Sequence, residues 1–81
     1  PFNPSTKILF TLEQNAFTEL KIFNIQGEEV KVLKNEITPA GTYEIVWDGT
    51  NNSGSNQPSG VYFYQLLSNQ HQQSKKMILL K

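Results

Sequence analysis

The sequence predicts an all-β fold, an antiparallel immunoglobulin-like β-sandwich of about seven short strands. Three observations predict it. Apolar residues recur with a period of two, the spacing of a half-buried strand, and nowhere with the 3.6 of a helix. Turn residues punctuate the chain at roughly 8–12-residue intervals, as in sandwiches. Branched and aromatic side chains fill the segments between them.

The elements follow in order. Between Ser5 and Leu12 the apolar set is Ile8, Phe10 and Leu12, with Leu9 breaking the alternation. From Ala16 to Asn24, Leu20 and Ile22 face inward with Thr18, while Glu19, Lys21 and Phe23 face away. Asn24-Ile25-Gln26-Gly27 supplies turn chemistry, with Gly27 free to take positive φ. Glu29 to Leu33 is a short strand with Val30 and Val32 on one side, and Lys34 to Pro39 reads as an irregular connection. After the Pro39-Ala40-Gly41 turn, Tyr43, Ile45 and Trp47 point inward. A polar loop runs from Asp48 to Gln57 and closes in Pro58-Ser59-Gly60. Val61 to Leu67 is the richest β segment, and Ser68 to Gln73 reads as a polar hairpin. In the last strand, Ser74 to Leu80, Met77 and Leu79 share one face and Ile78 and Leu80 the other. Two apolar faces imply burial on both sides or a missing partner. Trp47 and Tyr62 are the expected core anchors.

Composition bounds the function. The chain has 81 residues, enough for one small domain. Seven lysines balance seven acids and there is no arginine, a poor basis for holding nucleic acid or clamping phosphate. Charged residues are only 17%, and eight Asn, seven Gln, six Ser and six Thr supply the polarity instead, a balance that suits an extracellular β domain. Without cysteine there is neither a disulfide framework nor a thiolate metal site. No apolar stretch approaches the roughly 18 residues of a membrane helix. The chain opens on Pro1, as if excised from a longer protein.

The sequence holds little reaction chemistry. His71 is the only histidine and lies among amides in the polar hairpin, so it has no second imidazole for a metal. Nothing places it near Asp48, the only aspartate, and no nucleophile elbow occurs. Glu28 and Glu29 are adjacent and face opposite ways. The loop from Asp48 to Gly54 alternates oxygen donors like a calcium loop, but it has one carboxylate and no terminal glutamate. An Asx-turn is the simpler account. Lys75 and Lys76 fit an edge strand that discourages strand addition. If Tyr43, Trp47 and Tyr62 fill the core, Phe23, Phe63 and Tyr64 turn outward, unless loops partly cover both sheet faces. Turned outward, they would form a platform for sugars or a protein partner.

A resemblance covers nearly the whole chain. Pro1-Phe2-Asn3-Pro4-Ser5-Thr6, Asn24-Ile25-Gln26-Gly27-Glu28-Glu29-Val30, Ala40-Gly41-Thr42, Trp47-Asp48-Gly49, Pro58-Ser59-Gly60-Val61-Tyr62-Phe63-Tyr64 and Lys76-Met77-Ile78-Leu79-Leu80-Lys81 occur in series. Together they resemble the type A C-terminal sorting domain of the type IX secretion system. They are also similar to the Ig-like module of flagellar hook-capping proteins. The first resemblance implies a non-catalytic, seven-stranded tag without cofactor or metal. It would direct an N-terminal passenger through the periplasm to the cell surface or medium. Its implied partners are the outer-membrane export machinery and a sortase-like transpeptidase. Its sorting residues would be Pro58, Gly60 and Tyr62 together with Lys76, Met77, Ile78, Leu79, Leu80 and Lys81. Gly27, Gly41, Trp47, Asp48 and Gly49 would be structural.

Two further readings stand beside it. One is an accessory Ig-like binding or spacer module of an extracellular enzyme, which an outward aromatic platform would favour. The other is an assembly scaffold like the hook cap.

Overall fold

In the computed structural model, residues 5–80 are described, and every strand among them is antiparallel. Six strands form: β1 (Thr6–Leu12), β2 (Ala16–Asn24), β3 (Glu29–Thr38), β4 (Gly41–Trp47), β5 (Gly60–Ser68) and β6 (His71–Leu79). They make two sheets, a pair β1-β4 and a four-stranded sheet ordered β3-β2-β5-β6. The segments Pro1 to Pro4 and Lys81, which carry the two ends of the sorting-domain resemblance, lie outside the described residues.

Alternation decides which faces meet. Ile8, Phe10 and Leu12 of β1 are buried, as are Leu20 and Ile22 of β2, Tyr62, Tyr64 and Leu66 of β5, and Met77 and Leu79 of β6. They form one cluster with Val30 and Trp47, with Leu33, Tyr43 and Ile45 packed against it. The two sheets therefore share a single core between their inner faces. Leu9 breaks the alternation because it points out of the small sheet and is 65% exposed.

Three expectations need correcting. The described strands number six, not seven, and the smaller sheet has only two. Lys34 to Pro39 is not irregular, because β3 continues to Thr38. Its alternation is masked by register shifts against β2 between Leu20 and Lys21 and between Ile22 and Phe23. Such bulges add a residue to one strand and re-aim the side chains beyond it. Val30 and Leu33, three apart, both reach the core as a result, and Val32 does not join it. Finally, β6 is not buried on both sides. Met77 and Leu79 face the core, whereas Ile78 and Leu80 are more than half exposed.

Trp47 is fully buried, at 0% exposure. Its ring meets Tyr62 edge-on, with centroids 5.0 Å apart at 65°. Its indole N–H donates to the Thr50 carbonyl at 2.8 Å. One side chain thus joins the small sheet, the large sheet and the loop after β4. Replacing Trp47 by alanine should cost about 3–5 kcal/mol, as large-to-small changes at buried aromatics do. In a domain this small that is most of the stability. Urea titration followed by circular dichroism checks it. Gly60 has φ +153° with open space where a Cβ would sit. Gly60→Val should therefore lose about 1–3 kcal/mol through backbone strain alone. A lower urea midpoint at constant slope would report it.

Candidate functional site

The conspicuous residues of the resemblance gather into two local devices, each built twice. The first has the pattern Pro-x-Gly-x-Tyr. In Pro39-Ala40-Gly41-Thr42-Tyr43 the glycine has φ +151°, and the Tyr43 hydroxyl donates to the Pro39 carbonyl at 2.6 Å. In Pro58-Ser59-Gly60-Val61-Tyr62 the glycine has φ +153°, and the Tyr62 hydroxyl donates to the Pro58 carbonyl at 2.6 Å. In both, proline ends the preceding connection and glycine turns the backbone into a strand. The tyrosine then ties the strand's start to the turn, much as a tyrosine corner does. β4 and β5 are each launched this way.

The second device has the pattern Asn-x-x-Gly-x. The Asn24 Oδ1 accepts the amides of Gln26 and Glu28 at 3.0 Å each, and the Gly27 amide donates to the Asn24 carbonyl. Gly27 sits at φ +84°. Asn51 repeats the arrangement. Its Oδ1 accepts the amides of Ser53 at 3.0 Å and Ser55 at 2.9 Å, and the amide of Gly54, at φ +85°, donates to its carbonyl. Both are Asx-turns in which the side chain takes up backbone donors that the reversal leaves unpaired.

The long loop is thereby spent on folding. The Asp48 carboxylate accepts the Thr50 hydroxyl at 2.6 Å and the Thr50 amide at 3.1 Å. Gly49 is buried at the base of the loop with φ +81°. Further along, the loop crosses the open edge of β3. The Asn52 amide donates to the Val30 carbonyl at 3.0 Å, and Asn52 Oδ1 accepts the Val32 amide at 2.9 Å. Lys31 reaches across to the Thr50 hydroxyl and the Asn51 carbonyl, both at 3.1 Å. Among the described residues, no group of three or more His, Cys, Asp or Glu side chains converges on a possible metal position.

The remaining candidates are dispersed. His71 is exposed at the first position of β6, opposite Ser68. The polar hairpin is tighter than its sequence implies: only Asn69 and Gln70 lie between the strands, with Asn69 at φ +55°, a conformation asparagine tolerates. Glu28 accepts the Asn24 side-chain amide at 2.9 Å. Glu29 pairs with Lys21 at 3.4 Å, and Lys21 also meets Glu19 at 3.4 Å. These hydrogen-bonded pairings raise the Lys21 pKa. Phe23 and Phe63 are cross-strand neighbours on the outer face of the large sheet, but Tyr64 is buried in the core. The three aromatics do not form one platform.

Among the described residues, grooves indent the surface in at least two places. The larger, about 530 Å³, lies between the end of β1 and the β5–β6 hairpin. It is lined among others by Leu12, Glu13, Leu66, His71 and Gln73. The smaller, about 240 Å³, separates the Asn24 turn from Pro58 to Tyr62.

These features define a class: an all-β, immunoglobulin-like module whose polar motifs serve its own turns. The chain belongs to the FlgD Ig-like domain family, whose model matches residues 3–71, from before β1 to the start of β6. It is also similar in fold to a crystal structure of FlgD from P. aeruginosa, at a TM-score of 0.71 and 18% identity. That match covers 93% of this chain and 59% of the other, so this chain spans little more than half of that protein. No curated protein sequence matches the chain.

These findings overturn the type IX sorting expectation and the partners that came with it, the export machinery and the sortase-like transpeptidase. The physical reason lies in the motifs. Pro58, Gly60 and Tyr62 recur as Pro39, Gly41 and Tyr43, and both sets form the entry to a strand. Of the supposed terminal label, Met77 and Leu79 are core residues, Lys76 and Ile78 lie on the outer face of β6 opposite Phe63 and Val61, and Leu80 is exposed just beyond the strand. Both repeats stand in the sequence, and spacing alone could have found them.

The Thr50 hydroxyl holds the Asp48 carboxyl below the usual carboxylate range, and the nearby Lys31 charge adds to this. A depressed folded-state pKa contributes stability above the unfolded value of about 3.9 and loses it as pH falls below that. Asp48→Asn should therefore flatten the acid limb of a thermal-midpoint profile between about pH 5 and pH 2, relative to the wild type.

Proposed function

We propose that this chain is a non-catalytic structural module that works through protein–protein contact in an assembly of the flagellar hook-cap kind. The family match over residues 3–71 carries the reading. The chemistry agrees with it. The Asp48, Asn24, Asn51, Tyr43 and Tyr62 side chains are each engaged in turns, which leaves them to hold the fold and not a reacting molecule. The surface instead offers apolar side chains set among uncharged polar ones, with Phe17, Phe63, Ile37 and Ile78 exposed on the outer face of the large sheet. Patches of this composition suit contact with other polypeptides.

Co-sedimentation tests the proposal. The isolated chain should pellet with hooks polymerised from the hook subunits of the bacterium that encodes it, and should stay in the supernatant without them. A folded chain that never pellets with hooks overturns the reading, as does a genome that encodes no hook subunit.

A further inference from the structure

The sheets are unequal, since two strands face four. On one flank β1 lies against β6, and the inward positions of β6 show where the cover stops. Direct pairing sets His71, Gln73 and Lys75 opposite Ser68, Leu66 and Tyr64, on the inner face of the sheet. Those three β5 residues are buried, and so are Met77 and Leu79 further along β6. His71, Gln73 and Lys75 are nevertheless exposed. The groove of about 530 Å³ opens beside His71 and Gln73, with Thr11 and Leu12 of β1 lining its other side.

The two edges of the large sheet are occupied or guarded. The loop after β4 bonds to β3 through Asn52. Lys75 and Lys76 stand on β6, where charges discourage pairing. On the β4 flank the Lys34 ammonium lies over the Tyr43 ring, 5.6 Å from its centroid. β1 has no such protection. It runs seven residues without proline or register shift, and among the described residues its outer backbone has no strand partner. Its lysine, Lys7, is turned across the sheet to Glu44 at 3.3 Å.

We propose that this edge and groove accept a single extended segment of a partner polypeptide. The segment adds to β1 as the third strand of the small sheet and lays alternate apolar side chains over Leu12 and Leu66. Backbone hydrogen bonds supply the affinity and the groove supplies side-chain selection, as in other strand additions. The lining carries one carboxylate, Glu13, and no lysine, so it favours a neutral or cationic segment over an acidic one. The inference rests on the reading that the module works by protein contact, and it names the surface and the form of the partner.

The probe is a short synthetic peptide alternating valine and threonine, flanked by lysines, titrated into the isotope-labelled chain. Amide exchange should slow along Thr6 to Leu12, with shift changes at Leu66, His71 and Gln73. Gln73→Trp, which fills the groove from an exposed position, should weaken the peptide by about tenfold or more while leaving the melting temperature unchanged. Lys76→Glu, on the opposite face of β6, should leave binding intact. Shifts confined to Phe23 and Phe63, a dimer in place of a one-to-one complex, or no binding at millimolar peptide would each overturn the inference. Hook co-sedimentation that survives Gln73→Trp also overturns it while sparing the assembly role. A wild-type chain that binds the peptide at β1 but never pellets with hooks removes the assembly role and keeps the strand site.

Discussion

The burial of Trp47 is the constraint on which the other features depend. The indole ends β4, packs on Tyr62 of β5 and donates to Thr50 in the loop that follows. With Ile8, Phe10 and Leu12 it holds the small sheet against the large one. Without it the loop from Asp48 would lose the anchor from which it swings across β3. A fully buried polar group is tolerable only when bonded, and the indole N–H is. The same holds throughout the described residues: no buried side-chain nitrogen or oxygen lacks a partner.

A domain without cysteine, and with no helix among its described residues, must make its reversals rigid by other means. This one repeats two solutions. An asparagine carbonyl gathers two amides across a glycine turn, once at Asn24 and once at Asn51. A tyrosine hydroxyl reaches back four residues to a proline carbonyl, once from Tyr43 and once from Tyr62. Such residues look like a functional signature when read one at a time. Seen as pairs with matching geometry, they are parts that hold the turns of the fold. The sorting-domain resemblance therefore pointed to an all-β antiparallel fold, with one strand too many, and to the wrong task.

Much of the architecture was legible in the sequence because its information is local. The inward sets of β1, β2 and β4 followed from alternation, and Trp47 and Tyr62 stood out as large anchors at strand ends. β3 was cut short because a bulge is invisible to a period-two reading: Leu33 and Val30 share the core at a spacing that alternation forbids. The parity of Tyr64 was open because VYFYQLL is apolar on both faces, and only pairing with β2 and β6 settles which side is covered. The groove could not be read at all. It arises from two strands facing four, and that inequality concerns which strands are neighbours, not any residue's own preference.

That neighbour order has a kinetic consequence. Among the described residues β1 pairs with β4 alone, past two intervening strands, and the centre of the large sheet joins β2 to β5, segments more than thirty residues apart. Only the β2–β3 and β5–β6 hairpins can form early, and neither closes the hydrophobic interior. Topologies dominated by distant pairings fold slowly, because loop closure must come before its reward. A chain emerging from the ribosome gains no lasting shelter until β5 has appeared. Truncation anywhere before Tyr62 should therefore leave an aggregation-prone fragment, not a smaller domain.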